Sequence, residues 1–296
     1  MSNKSQRLSV VIINLADTQA LARCLQNLDP IQAECIVVLG WDKDKIDTFA
    51  SNFPKVRFLD AGQKPVPQQR LLGANSAQGQ FVAFLEDTSL PATGWLEAIK
   101  RTFADPNVMV AGGPVAISTD LPPRYRALAC VEYGYFHPSQ NRAWPVSSPP
   151  GNNFVCRRKF LLKHLATHPD GLIETEIQQS LNESGMKWVF NPRLKVNYIA
   201  PHSRGAKLKS RVQHGRLFGA RRIRGEKTVV RIKWVIKSLA LPVILPWRRL
   251  RILPGIVEPS SWLQVATWIC LLEWAWAAGE SFGYLAGEGR SLYAWR

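Results

Sequence analysis

Residues 81–99 read FVAFLEDTSLPATGWLEAI. An apolar run of strand length leads straight into two adjacent acids, Glu86 and Asp87, and an amphipathic helix, GWLEAIKRTF, follows Pro91. A strand that is apolar at consecutive positions is one covered on both faces, as in a parallel sheet. Toward the N-terminus the same rhythm recurs, with LSVVIIN (8–14), CIVVLG (35–40) and VRFLD (56–60) as strands. Helix candidates lie between them at TQALARCLQNL, capped by Asp17 or Thr18, near residues 45–51, and at 67–77. This alternation predicts an α/β fold, a mostly parallel sheet with helices on both faces and right-handed crossovers. Ligands in such a sheet sit beyond the carboxyl ends of the strands, here residues 14–17, 40–44, 60–64 and 86–89. Like charges there are unfavourable unless a cation or ligand hydroxyls share the site. Taken by itself, a Glu86–Asp87 pair at a strand end is more often a solvated turn.

The 296 residues allow one large domain or a domain with an appendage, and 46% hydrophobic content is enough to bury a core. Five scattered cysteines, without metal-ligand or disulfide spacing, favour a reducing compartment. The polar start MSNKSQ runs directly into the first strand and reads as no secretory leader. The net charge of +16 is local. Between Ser203 and Arg251, 15 Lys and Arg face Glu226 alone, which leaves +2 for everything else. An almost neutral body is therefore followed by a basic segment. A nucleic-acid partner is not expected, because no recognition module or ladder of stacking aromatics accompanies the charge.

Beyond the helix at 94–103, VMVAGGPVAI reads as one strand, residues 120–150 as a long irregular segment, GNNFVCRRKFLLKHL as a turn becoming a helix, TEIQQSLNES as a helix ended by Gly185, and KWVFNPRLKV as a last strand. Seven of the 11 tryptophans lie from Trp234 onward. The apolar stretches 234–247 and 262–278 are broken by Lys237, Pro242, Pro246 and Glu273, short of a clean membrane span. Trp-rich helices with basic flanks fit the plane of an anionic membrane surface, although a helical cap with tryptophan filler has the same composition. The expected division is 1–222 for the α/β body and 223–296 for a helical membrane-surface appendage, placing the protein peripherally on the cytoplasmic face of the plasma membrane.

The order of these blocks resembles glycosyltransferase family 2, the inverting GT-A transferases that use nucleotide-diphospho-sugars, over residues 8–222. The matching blocks are LSVVIIN, ECIVVLG, QQRLLGANSAQGQFVAFLED with LPATGWLEAI, PPGNNFVCRRKFL, and GLIETEIQQSLNESGMKWVFNPRLKV. The resemblance implies a donor nucleotide-sugar, a lipid-linked or polysaccharide acceptor, and Mn or Mg held against the diphosphate by Glu86 and Asp87. It makes Glu174 the general base toward the acceptor hydroxyl, with Glu176 on the acidic position two further on. Arg70 falls at the family's helix arginine, and Asn152, Asn153, Arg157 and Arg158 fall in its acceptor-side loop. Without the resemblance, Glu174 and Glu176 are ordinary first-turn helix acids, and Arg157 and Arg158 are surface charges. Trp95 and Trp188 read as core. His202 and His214 lie where the family has a metal-binding histidine, but read alone they are solvated.

The chain also departs from the pattern. The second strand ends in Leu39, Gly40 and Trp41 where the family has a nucleoside-reading acid pair. Asp42 and Asp44 come only later, and Trp41 is free to stack on a base. Thr88 stands in place of the later metal Asp, and Tyr198 where a His is common. These departures leave open a catalytically inactive relative that still binds nucleotide or glycan.

Overall fold

The structure is a computed structural model, and it describes residues 8–15, 17–28, 33–41, 43–140, 148–200 and 208–295. In chain order the elements begin β1 (Leu8–Ile13), α1 (Thr18–Asn27), β2 (Glu34–Leu39), α2 (Lys43–Ala50), β3 (Val56–Asp60), α3 (Val66–Ser76), β4 (Phe81–Glu86), β5 (Ser89–Pro91), α4 (Trp95–Thr102), β6 (Val108–Gly112) and β7 (Val115–Ile117). They continue with α5 (Pro123–Tyr133), β8 (Asn153–Arg157), α6 (Arg158–Ala166), α7 (Glu174–Glu183), β9 (Lys187–Phe190), β10 (Val196–Tyr198), α8 (Leu208–Arg222), α9 (Thr228–Ser238), α10 (Leu241–Leu250) and α11 (Pro259–Ala286). Two compact units result, residues 1–116 with 141–203, and residues 117–140 with 204–296. Helix α8, which lies before the expected 222/223 division, groups with the second unit.

The first unit holds a seven-stranded sheet of order β3-β2-β1-β4-β8-β6-β9 and a three-stranded sheet β5-β10-β7. Strands β3, β2, β1 and β4 run parallel; β2, β1 and β4 are buried on both faces, as their continuous apolar runs require, while β3 at the sheet edge is half-buried. The register pairs Ile13 with both Val38 and Glu86, and Leu39 with Asp60, so the carboxyl ends of all four strands share one edge. Strand β8 is antiparallel between β4 and β6, so NFVCR is strand between the expected turn at Gly151 and the helix that starts at Arg158; Phe154, Val155 and Cys156 are buried there. The expected single strand VMVAGGPVAI divides between the two sheets at Gly113–Pro114, where a Cβ on Gly113 would lie 2.0 Å from the Leu194 carbonyl oxygen. KWVFNPRLKV divides in the same way into β9 and β10.

The second unit is helical, and residues 123–133, expected to be irregular, form α5 within it because Tyr125, Ala127, Ala129, Cys130 and Val131 are buried there. Helices α8 and α11 approach through Gly215, Gly219, Gly279 and Gly283, where any Cβ would come 2.0–2.4 Å from a carbonyl oxygen of the opposite helix. Small residues four apart are what lets two backbones come this close. Glu273 and Glu280 interrupt the apolar run of α11 for a structural reason. Glu273 is buried against Arg249 at 2.9 Å, and Glu280 accepts from Arg222 at 3.0 Å, Trp276 at 2.8 Å and Tyr284 at 2.5 Å. Breaking such pairs leaves a buried charge unmatched. Among the described residues no helix is long and apolar enough to cross a membrane.

Candidate active site

Strand-end geometry builds the site. Glu86 is the last residue of β4 and Asp87 follows it, both buried, at the edge where β1 ends in Ile13 and Asn14. Asp87 is held by its backbone N–H donating to the Ile13 carbonyl at 3.1 Å and by Asn14 Nδ2 donating to its Oδ2 at 2.5 Å. Because β8 runs antiparallel with Leu85 opposite Asn153, the turn before β8 brings Gly151 and Asn152 to the same edge. Asn152 is fully buried and donates to Ser89 Oγ at 2.9 Å.

Arg70 ties the acids together. It projects from α3, is 1% exposed, and places Nη1 2.6 Å from Glu174 Oε1 and Nη2 3.4 Å from Glu86 Oε1. Nη2 also donates to the Gly151 carbonyl at 3.0 Å. Glu174 opens α7, where the helix dipole favours an acid. Its carboxylate reaches Arg70 only because residue 151 lacks a side chain; a Cβ there would lie 2.0 Å from Glu174 Oε1. The segment before α7 is anchored on α3 as well, since Leu172 N–H donates to the Pro67 carbonyl at 3.0 Å. Glu86, Arg70 and Glu174, which are 16 and 104 residues apart along the chain, thus form one continuous charged line. Burial and the nearby Asp87 charge push the Cys24 thiol up, so it stays neutral behind this rim.

Other expected residues lie elsewhere. Asn153 is a core residue: its Oδ1 accepts from Trp95 Nε1 at 3.1 Å, and its Nδ2 donates to the Leu194 carbonyl at 2.5 Å and the Pro114 carbonyl at 3.3 Å. Trp95 is buried with it, as expected of core. Arg157 pairs in register with Phe81, at the start of β4 and therefore at the edge opposite Glu86. It donates to the carbonyls of Val108, Phe103 and Asp105 and stacks over Phe81 and Phe103. Arg158, the next residue, opens α6 on that same far side. The five-residue strand β8 thus places these two arginines at its far end, away from the Glu86 rim. Glu176 lies in the first turn of α7, two residues beyond Glu174. Trp41 packs edge-on against Phe49 at 5.4 Å with Lys45 over its ring. Asp42 and His202 lie outside the described residues, while His214 contacts Trp295 in the second unit.

Sequence reading passed over Asn14, Ser89 and Gly151. The first two lie in strand-end windows where ligands are expected, but their role depends on hydrogen bonds across strands. Among the described residues no group of three or more His, Cys, Asp or Glu is placed to hold a metal ion. Two adjacent carboxylates still match the oxygen donors that Mg or Mn prefers, because such a cation takes few protein ligands and fills its shell with phosphate and water.

The first unit is thus a mainly parallel seven-stranded sheet with acids and a buried arginine at its carboxyl edge. The glycosyl transferase family 2 model matches residues 9–165, more than half of the chain, and the chain belongs to that family. No curated protein matches it. Among solved structures, a mannosyltransferase from Pyrobaculum calidifontis in complex with GDP-Man and Mn2+ is 16% identical, with 97% of this chain and 87% of that chain covered and a TM-score of 0.49. GalNAc-T7 with UDP, GalNAc and Mn2+ is 15% identical with a TM-score of 0.50; it covers 73% of this chain, which spans about half (48%) of its length. At such identity the likeness is one of fold.

Proposed function

We propose that the protein is an inverting glycosyltransferase that moves a sugar from a nucleotide-diphospho-sugar to a lipid-linked or polysaccharide acceptor at a membrane surface, on its cytoplasmic side. The observation that carries the reading is Arg70, buried between Glu86 and Glu174 at the carboxyl edge of the sheet. Displacement at an anomeric carbon with inversion needs one carboxylate to take the proton of the attacking hydroxyl and a positive group to receive the departing diphosphate. Glu174 Oε1 takes the proton. Arg70 contributes a planar, permanently charged donor fork suited to phosphate oxygens. Glu86 and Asp87 would hold a Mg or Mn ion, which when bound neutralises diphosphate charge. The buried Asn14–Asp87 hydrogen bond fixes the second carboxylate in place.

The fold and family support glycosyl transfer; the anomeric outcome and the acceptor class are the finer part of the reading. Its test is a panel of nucleotide-sugars incubated with the protein and membrane-extracted acceptors, with the product anomer read by NMR. A product of opposite anomeric configuration to the donor supports the reading. Retained configuration, or donor binding without any product, overturns it; the latter outcome identifies a nucleotide- or glycan-binding protein.

A further inference from the structure

We infer that helices α9 and α10 form a docking face for an anionic lipid surface. This deepens the membrane part of the reading above, and its test involves no sugar donor, so it stands or fails separately from glycosyl transfer.

Helix α9 turns its inner side to α11. Trp234 stacks on Tyr284 with ring centres 5.8 Å apart, Arg222 lies over the same indole at 4.8 Å, and Ser238 is buried. Its outer side is apolar. Val229, Ile232, Ile236 and Leu239 follow the three-and-four spacing of one helical stripe, and they are 77%, 54%, 62% and 80% exposed. In α10 the stripe continues with Val243 and Trp247, four residues apart and likewise exposed. Six large apolar side chains on two consecutive helices exceed what scattered surface hydrophobics explain and mark an interaction surface.

Charge identifies the partner. From Lys227 to Val257 the sequence holds seven Lys and Arg and neither Asp nor Glu. Of these, Arg249 is drawn inward to Glu273, Lys237 lies over the Trp234 ring at 4.9 Å, and Arg248 faces the Tyr135 ring at 5.8 Å. Lys233 and Lys237 stand beside the apolar stripe and are exposed, and Arg251 stacks on the Trp247 ring at 4.6 Å. An apolar stripe edged by unmatched cations and an indole is the arrangement that lies in the headgroup layer, with side chains in the acyl boundary and ammonium groups at lipid phosphate. A protein partner of matching shape would need a continuous acidic rim. A second copy of this face would set like charges against each other, which disfavours self-pairing.

The test is sedimentation of the full chain with phosphatidylcholine vesicles containing or lacking phosphatidylglycerol, at low and high salt, with tryptophan emission recorded alongside. Binding is expected only with phosphatidylglycerol, weakened by salt, with a blue shift in the tryptophan emission. Leu239→Asp with Val243→Asp should lower vesicle binding at least tenfold while the unfolding temperature stays unchanged, since both side chains are solvent-facing. Lys233→Gln with Lys237→Gln should weaken binding and flatten its salt dependence. Wild-type protein that ignores both vesicle types overturns the inference, as does an aspartate double variant that binds like wild type. Equal binding to both vesicle types overturns the anionic part, and concentration-dependent dimerisation abolished by the aspartates assigns the face to a second copy instead.

Discussion

Arg70 Nη1 lies 2.6 Å from Glu174 Oε1, so the carboxylate proposed as the general base is engaged by a buried cation. The contact orients the carboxylate, and because the same guanidinium is the group proposed to meet donor phosphate, the position of the base is coupled to donor occupancy.

Glu174→Gln tests that coupling. The amide keeps the shape and can still contact Arg70, but it cannot accept a proton from a hydroxyl. Transfer should fall by about 10²- to 10⁴-fold, the usual contribution of a general base, with donor affinity by calorimetry kept within severalfold. Removing charge opposite a buried guanidinium also costs stability, so a lower unfolding temperature is expected. Undiminished turnover excludes Glu174 as the base.

Gly151→Ala separates position from chemistry. The new Cβ would sit 2.0 Å from Glu174 Oε1 and 3.1 Å from Arg70 Nη2, so the carboxylate must move. A displacement of about 1 Å at a reacting group is enough for about a 10²-fold loss. The rate should fall while nucleotide binding, read by protection against thermal unfolding, persists. A rate equal to wild type would show that the Arg70–Glu174 contact is not needed in the reaction.

The sheet and its functional edge were legible because parallel strands buried on both faces leave continuous apolar runs, and the acids Glu86 and Asp87 stop such a run abruptly. The joining of Arg70 to Glu174 was not, since it depends on a turn at Gly151 that only antiparallel β8 brings to the rim. Local sequence misled in that same block: FVCR reads as the entry to a helix, yet burial of Phe154, Val155 and Cys156 between β4 and β6 makes it strand. The strand then carries Arg157 five residues from the rim. Helix α5 was hidden because its apolar residues have no single stripe, being covered on more than one side.

Arg157→Ala should therefore be a stability change and not a catalytic one. The guanidinium donates to three backbone carbonyls, at 2.8 Å (Val108), 3.0 Å (Phe103) and 2.8 Å (Asp105). Losing a charged donor to partly buried acceptors costs about 2–3 kcal/mol. Denaturant unfolding should shift accordingly, with kcat and KM for donor and acceptor at wild-type values in the folded fraction. A large change in acceptor KM would return Arg157 to the acceptor site.

Metal dependence follows from the short donor set. Among the described residues no group of three or more His, Cys, Asp or Glu is placed to hold a metal ion, and Arg70 already touches Glu86 at 3.4 Å, so the diphosphate must supply much of any cation's coordination. Chelator should suppress transfer, and Mn or Mg should restore it over the range in which the nucleotide-sugar itself becomes metal-loaded. Protein dialysed without donor should retain no metal by elemental analysis. A stoichiometric ion surviving dialysis contradicts this expectation and calls for further ligands from residues outside those described.

Acid should loosen the helix that carries Glu174. His164, on α6, is buried and its Nδ1 shares a 2.8 Å hydrogen bond with Ser180 Oγ of α7, with His168 stacked at 4.0 Å. Burial, followed by the repulsion of His168, pulls its pKa from 6.5 down to about 4. In the unfolded chain the same ring takes up a proton near its ordinary value, so between about 6.5 and about 4 the unfolded state binds more protons than the folded one. The contribution is present above pH 6.5 and is lost as pH falls, levelling off below about 4. His164→Gln, which can still hydrogen-bond Ser180 but does not titrate, should flatten the fall in unfolding temperature across that window. If wild type and variant lose stability in parallel, His164 is already charged in the fold, and the α6–α7 contact is not where acid acts.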